Sequence, residues 1–361
     1  MSAFTGVTVD REALIANYAT LAERVAPAGV IAVVKADGYG HGAVEAARAF
    51  VDAGAEWLGV ADVDEALALR RAGIDVRILA WLHAPDEDFV RAASEGITPA
   101  VSSVEQLAAA AGAEVPAVHL VLDTGLSRNG AVESEWPELF AAAAALPRTR
   151  VEGVMSHLAN ASREDDLAQD AALDRALSAL AAHGIVPEVV HLAASAASIA
   201  VPETRRDLAR IGLSLYGLSP FADRTSAELG LRPAMTVTAS VLRTIRVPAG
   251  HGVSYGYTHR TERETTLAII GLGYADGFDR GFGNRVSVSI GGRRFPVVGR
   301  VAMNAMHIDV GDAEVAAGDE VVLWGDPATG VPSVEEWAAA IGTINYEVVA
   351  RLGPLLARRT T

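Results

Sequence analysis

Short apolar runs alternate with alanine- and leucine-rich segments from about residue 10 to residue 230. The first such segment follows Asp10, and apolar residues such as Leu14 and Tyr18 recur in it at helical spacing, which predicts a capped helix. Eight of these units follow one another without an internal linker, which favours an N-terminal (β/α)8 TIM barrel over a doubly wound sheet. The eight candidate strands are Val30–Lys35, Trp57–Ala61, Ile78–Leu82, Thr98–Ser102, Val118–Asp123, Val151–His157, Val189–Leu192 and Ala209–Leu213.

The pattern changes after Leu231-Arg232-Pro233, where strand-like runs and turn signals replace the alternation. A helix is predicted near the end, from about Ser333 to Ile341, and Val7-Thr8-Val9 is expected to add a strand. The predicted fold class is therefore α/β plus β, with a barrel over residues 10–230 and a mainly β domain over 231–361 plus residues 1–9. The candidate strands of the second domain are Thr236–Val247, Thr265–Gly271, Arg285–Ile290, Phe295–Val298, His307–Val310 and Glu320–Leu323.

Composition and charge narrow the possible partners. Of 361 residues, 50% are apolar and 21% are charged, which is typical of a stably folded chain with more than one domain. A net charge of −15 without a long basic run argues against a nucleic-acid partner. No apolar stretch reaches membrane-spanning length, no secretory signal precedes Asp10, and there is no cysteine for disulfides or thiolate sites. We predict a cytoplasmic protein that binds neither nucleic acid nor membrane.

Lys35 stands between the apolar run Val30–Val34 and the glycine-rich segment Ala36–Gly42. A lysine at the end of a buried strand projects into the site that the following loop builds. Burial disfavours its ammonium form, so the amine can act as a nucleophile, a base or a Schiff-base former. A lysine whose ammonium group reaches solvent past the end of its strand fits the local sequence equally well.

Several polar residues share one position, at or just after the carboxyl end of a candidate strand. In a barrel these ends surround one mouth, where such enzymes keep their sites. Taken singly, His157 fits a core histidine, Asp123 fits a turn, and Arg210 fits a structural ion pair; their convergence favours a site. The residues are Lys35, Asp123, Arg128, His157, Ser195 and Arg210.

The segments after the seventh and eighth strands suggest a phosphate site. Barrel enzymes often bind phosphate there through backbone N–H groups, to which Ser195 could add a hydroxyl and Gly212 a close backbone approach. A simple helix cap at Ser195 and a packing contact at Gly212 are the alternatives. A Schiff-base lysine that faces a phosphate site indicates pyridoxal 5'-phosphate.

Two other motifs do not fit their usual functions. In Gly38–Gly42 the third glycine comes one position too early for a dinucleotide-binding loop. Gly252–Gly256 matches the G-x-S-x-G pattern of serine hydrolases, but the polar loop Thr258–Glu264 follows it where a hydrolase needs a helix.

Ordered motifs over essentially the whole chain resemble those of the bacterial alanine racemases, pyridoxal-phosphate enzymes of fold type III. The motifs are Val33–Gly42, Asp123–Gly130, Ser156-His157, Ala209–Gly217, Val253–Gly256, Gly273–Gly277, Gly299–Met303 and Asn345–Glu347. The resemblance implies a homodimer that interconverts L- and D-alanine and supplies D-alanine for peptidoglycan. It implies Lys35 and Tyr255 as two catalytic bases on opposite faces of Cα, with Tyr255 reaching the partner's site.

The resemblance also implies roles for further residues. Arg128 and Met303 would contact the substrate, and Tyr274, Arg280 and Arg300 would form a narrow access corridor that favours small substrates. His157 and Arg210 would link Tyr255 to the ring nitrogen of the cofactor. The residues implied in cofactor binding are Lys35, Tyr39, His157, Ser195, Arg210, Gly212, Leu213 and Tyr346.

The chain departs from the family pattern at a few positions. Val121 replaces a lysine that is carbamylated in many members, so we expect a bound anion such as chloride, or a neighbouring carboxylate, to compensate Arg128. The chain also differs from the family pattern at Ala194, Asn304 and Phe278, of which Phe278 is at a corridor position. These differences leave the identity of the substrate undecided. The alternatives are a racemase for serine or another amino acid, and a non-catalytic pyridoxal-phosphate-binding barrel. A barrel-only protein would lack the domain that carries Tyr255.

Overall fold

A closed barrel of eight parallel strands forms the N-terminal part of the protein. The computed structural model describes residues 5–352, 356 and 358–361. A first strand, β1 (Thr5–Val9), precedes the barrel and belongs to the other sheet. The last barrel strand pairs with the first and closes the ring, so the predicted barrel is confirmed. The barrel strands are β2 (Gly29–Val33), β3 (Trp57–Val60), β4 (Arg77–Ala80), β5 (Thr98–Val101), β6 (Ala117–Val121), β7 (Arg150–Met155), β8 (Val189–Ala194) and β9 (Leu208–Ile211).

Helical segments connect the barrel strands. Polar side chains cap several of them, since Asp10, Asp62, Ser103 and Ser162 each accept a hydrogen bond from a backbone N–H in the first turn. The caps and the apolar stripes fix where each connection starts and which side faces the strands. The helices are α1 (Arg11–Val25), α2 (Lys35–Tyr39), α3 (Ala43–Asp52), α4 (Val63–Arg71), α5 (Phe89–Ser94), α6 (Val104–Gly112), α7 (Trp136–Ala144), α8 (Arg163–Ala182) and α9 (Ser195–Ala200).

The second part of the chain forms a mainly antiparallel sheet in the strand order β13-β16-β15-β14-β17-β10-β1-β18. Strand β10 also pairs with β13, so six strands of this sheet close on themselves. Two helices follow, α10 (Val334–Ile341) and α11 (Asn345–Ala350). The strands are β10 (Met235–Val247), β11 (Gly252–Val253), β12 (His259–Arg260), β13 (Thr265–Ile270), β14 (Ser287–Ile290), β15 (Arg293–Val298), β16 (Met306–Gly311), β17 (Glu320–Trp324) and β18 (Arg358–Thr360).

The segment around Tyr255 differs in part from its predicted structure. The predicted loop Thr258–Glu264 contains the short strand β12, which pairs with β11. No α-helix follows Ser254, because the chain passes into a 3₁₀ turn, Tyr255–Tyr257. The geometry of a hydrolase nucleophile is therefore absent at Ser254.

Within the described residues, no helix combines the length and apolar character needed to cross a lipid bilayer.

Candidate active site

One cavity of about 710 Å³ opens at the carboxyl ends of the barrel strands. It brings together every site residue predicted from the barrel, and Tyr346 joins them from α11. Trp81, Leu82 and Val121 add apolar surface to its wall. The predicted residues that line it are Lys35, Tyr39, Asp123, Arg128, His157, Ser195, Arg210, Gly212, Leu213 and Tyr346.

Lys35 lies two residues beyond the end of β2, at the start of α2, and is the single lysine in the sequence. Its Nζ lies 5.9 Å from the centre of the Trp81 ring. Burial and then the charge of Arg128 lower the pKa of Lys35, and the carboxylate of Glu65 opposes them. A lowered pKa increases the fraction of neutral amine at neutral pH, which is the form that acts as a nucleophile or a base.

The segment after Lys35 is a left-handed turn. Ala36, Asp37, Gly38 and Tyr39 all have φ between 51° and 61°. Each non-glycine residue in that conformation costs roughly 1–2 kcal/mol. Hydrogen bonds from the Ala36 N–H to Glu65 and from the Ala43 N–H to Asp37 hold the turn in place. Strain of this kind is characteristic of functional sites, and here it directs Tyr39 into the cavity.

A second group of residues in the cavity consists of Tyr39, Tyr346, Ser195 and Gly212. The centres of the two tyrosine rings are 6.3 Å apart, and the Ser195 hydroxyl accepts a hydrogen bond of 3.1 Å from the Gly212 N–H. A Cβ at position 212 would overlap the Tyr39 hydroxyl, so only glycine fits there. Burial raises the pKa of Tyr346 to about 12, and that of Tyr39 rises as well, so both phenols remain hydrogen-bond donors at neutral pH.

Arg210 is 4% exposed and extends from β9 into the cavity wall. Its Nη2 donates to the Ser156 carbonyl at 2.6 Å and lies 3.0 Å from His157 Nδ1. Burial lowers the pKa of Arg210 to about 9, and it is a cation at neutral pH. Because a guanidinium only donates, His157 Nδ1 must accept, which leaves its Nε2–H free to donate. Burial, with the charge of Arg210, lowers the pKa of His157 to about 2, so the ring is neutral.

Arg128 lines the cavity beside Val121 and has an exposed side chain. In the part of the chain that the structure describes, no carboxylate oxygen is paired with it, although many other arginines form ion pairs. The expected neighbouring carboxylate is therefore not found among the described residues, and the bound anion stays a prediction.

Apart from Tyr346, the site residues predicted in the β domain lie outside this cavity. Exposed fractions are 70% for Tyr255, 43% for Tyr274 and 56% for Met303. Hydrogen bonds connect the segments that carry these residues: Ser254 Oγ donates to the Arg300 carbonyl at 2.7 Å, and the N–H of Tyr274 donates to the Ala302 carbonyl. The domain thus presents exposed polar and apolar side chains that lie outside the barrel cavity: Tyr255, Tyr274, Arg280, Arg300 and Met303.

The backbone around Tyr255 is strained. Ser254 has φ 58° and ψ −168°, and Tyr257 has φ 44°, both unusual for residues with a side chain. Such strain persists only where surrounding contacts enforce it, and it is concentrated at functional sites. The strained turn leaves Tyr255 projecting from the domain.

The prediction for Phe278 is wrong. Phe278 is 1% exposed, and its ring centre lies 5.5 Å from that of Trp324 and 6.0 Å from that of Trp337. It belongs to the core of the β domain and lines no corridor. Of the other divergent positions, Ala194 lines the cavity and Asn304 is exposed on the β domain.

Sequence reasoning missed three buried residues behind Arg210, which are His191, His119 and Glu152. His191 Nδ1 lies 3.0 Å from Arg210 Nη1, and His119 lies beyond it. The one signal in the sequence was that each of them is a polar residue within an apolar strand. That signal is equally typical of a polar residue that is buried in the core without a function.

Both parts of the chain match one protein family. Residues 9–220 match the alanine racemase N-terminal domain, and residues 234–360 match the alanine racemase C-terminal domain. The chain belongs to the alanine racemase family. The resemblance seen in the sequence motifs is thereby confirmed.

Individual members of the alanine racemase family are similar over almost their full length. The alanine racemase of Frankia casuarinae is 46% identical, with 97% of this chain and 94% of that protein covered, and that of Thermobifida fusca is 45% identical, with 99% and 98% covered. The crystal structure of alanine racemase from D-cycloserine-producing Streptomyces lavendulae superposes with a TM-score of 0.97 at 41% identity, covering 100% of this chain and 98% of that one. The similarity extends over both domains.

Proposed function

We propose that this protein is a pyridoxal-phosphate-dependent racemase that interconverts L- and D-alanine. The observation that carries the proposal is the presence of the single lysine, with a lowered pKa, in the cavity of a chain that belongs to the alanine racemase family. The D-alanine produced would serve peptidoglycan synthesis in the cytoplasm.

The cavity suits pyridoxal phosphate in its size and its donors. The Leu213 N–H, the Ser195 hydroxyl and the phenols of Tyr39 and Tyr346 would donate to the phosphate, and the Gly212 N–H, which donates to Ser195 Oγ, would orient that hydroxyl. The requirement for glycine at position 212 supports this use, because it keeps the Tyr39 hydroxyl against the backbone.

Arg210 would face the ring of the cofactor. Among the described residues, its Nη1 and Nη2 groups are bonded to protein acceptors, while no such bond involves its Nε–H. That N–H is therefore the donor available to the ring nitrogen. Because a guanidinium cannot readily give up its proton, the ring nitrogen would remain unprotonated and withdraw electrons less strongly.

Racemisation requires that a proton leave one face of Cα and another arrive on the opposite face. When bound, pyridoxal phosphate makes the Cα proton of an amino acid acidic. Lys35 Nζ would hold or deliver the proton on one face, which suits an amine whose pKa is lowered by burial. Tyr255 Oη would do the same on the other face.

Tyr255 would come from a second copy of the chain. Its 70% exposure and its position outside the cavity of its own chain support a homodimer in which each β domain completes the site of the other protomer. The free Nε2–H of His157 would then donate to the Tyr255 oxygen and stabilise its deprotonated form. Tyr274, Arg280, Arg300 and Met303 would border the opening from the same side.

The test of this function is an exchange assay on a panel of L-amino acids with the purified holoenzyme in deuterated solvent. L-Alanine should give D-alanine, with deuterium at Cα of the product. Faster turnover of L-serine would favour the serine racemase, and bound cofactor without exchange for any amino acid would favour the non-catalytic barrel.

A further inference from the structure

Four buried polar side chains form a line inside the barrel, leading from the cavity toward the start of β7. Arg210 Nη1 lies 3.0 Å from His191 Nδ1, and His191 Nε2 lies 2.8 Å from His119 Nδ1. His119 Nε2 in turn lies 3.6 Å from a carboxylate oxygen of Glu152. None of the four is more than 5% exposed. Polar groups this deeply buried are costly unless they satisfy one another.

The proton positions along the line follow by elimination. Arg210 only donates, so His191 Nδ1 must accept and the His191 proton is on Nε2. His119 Nδ1 must then accept from His191, which puts the His119 proton on Nε2. Within the described residues this Nε2 has no hydrogen-bond partner, and the Glu152 carboxylate, 3.6 Å away, is the acceptor that it faces. Both hydrogen bonds of the line therefore run from Arg210 toward His119, and the His119 N–H faces the Glu152 carboxylate.

Two local features of β7 serve this arrangement. Val118 pairs with Val151 but His119 pairs with Gly153, so Glu152 is one extra residue in β7. Bulges of this kind redirect a side chain, and here Glu152 is turned toward His119. A Cβ at position 153 would lie 2.5 Å from two atoms of the His119 ring, so glycine makes room for that ring.

The line ends in the negative charge of Glu152, and Arg210 has no negative charge among its direct partners. The partners of Arg210 are carbonyl oxygens and imidazole nitrogens, with no carboxylate among the described residues. Contact with His119, with help from Arg150, lowers the pKa of Glu152 to about 2, so it is ionised at neutral pH. Arg150 and Arg77 approach the same carboxylate but are more than half exposed, so solvent screens their charge.

We propose that Glu152, acting through His119 and His191, positions Arg210 for racemisation and provides the remote negative charge that offsets its buried guanidinium. The catalytic part of this proposal rests on the proposed function. The direction of the hydrogen bonds is independent of that function. Glu152 is thus a positioning residue, since it touches neither substrate nor cofactor.

The test compares Glu152→Gln with Glu188→Gln in the holoenzyme. Glu188 pairs with the same Arg150, at 2.5 Å, but is exposed and lies outside the line, so its variant is a matched control. Ring-nitrogen NMR of histidine-labelled protein reports which nitrogens of His119 and His191 carry protons, and kinetics report kcat and KM.

In the wild type, both rings should carry their proton on Nε2. In Glu152→Gln the resonance of the His119 N–H proton should move upfield, and this proton should exchange faster with solvent, because the side chain at position 152 is no longer charged. kcat should fall by roughly 10- to 100-fold, since a small misplacement of Arg210 is enough to slow the reaction by that factor. KM should stay within about twofold of the wild-type value. Glu188→Gln should match the wild type in every respect.

Gly153→Ala provides a second route should Glu152→Gln fold poorly. The added Cβ displaces the His119 ring and leaves the carboxylate in place, so the NMR and kcat changes should have the same direction. A proton on Nδ1 of either ring, or equal kcat in the Glu152 and Glu188 variants, would overturn the proposal. A wild type that racemises no amino acid would refute the proposed function instead, and the NMR result would still decide the hydrogen-bond line.

Discussion

Replacing Lys35 with alanine is expected to abolish both covalent attachment of the cofactor and racemisation. Loss of a positioned base alone lowers a rate by about 10²- to 10⁴-fold, and loss of the attachment point adds to this. The measurements are the visible absorbance of the purified protein and the rate of D-alanine formation from L-alanine.

The composition of the chain makes this prediction unusually clear to read. No other lysine side chain exists in the 361 residues, so none can replace Lys35. After borohydride reduction, intact-mass spectrometry should show a cofactor adduct on the wild type and none on Lys35→Ala. An adduct of equal abundance on the variant would remove Lys35 from its assigned role.

The second large effect is expected for Tyr255→Phe. This variant loses only the phenol oxygen, so cofactor attachment should persist while kcat for racemisation falls by about 10²- to 10⁴-fold. The neighbouring Tyr257 is 59% exposed and lies two residues away on the same turn, so Tyr257→Phe is the control and should keep kcat within about twofold. Wild-type turnover by Tyr255→Phe would show that another group is the second base.

The barrel could be predicted closely because its strands are buried on both faces and read as continuous apolar runs. Each of the eight begins and ends within two residues of its predicted position. The polar residues at the strand ends were predictable for the same reason, since parallel strands bring their carboxyl ends to one mouth.

Other features left no such pattern in the sequence. Strands β11 and β12 have two residues each, too few to show alternation. The left-handed turn after Lys35 includes Ala36, Asp37 and Tyr39, which do not ordinarily adopt that conformation. Phe278 was misplaced because its aromatic ring packs in a core that only the folded chain assembles.

The line behind Arg210 was missed for a different reason. His119, Glu152 and His191 lie on three different strands, and sequence alone does not bring them together. A bulge in β7 decides where Glu152 points, and a one-residue shift of pairing is not visible in an apolar pattern.

The central claim is that one protomer supplies Lys35 and its partner supplies Tyr255. The most direct test is a heterodimer of Lys35→Ala with Tyr255→Phe, co-expressed with different tags and purified through both. One of its two sites would then contain both intact residues, so it should recover about half of the wild-type activity per dimer, although each variant alone is inactive. A heterodimer as inactive as the two parent variants would contradict the shared site.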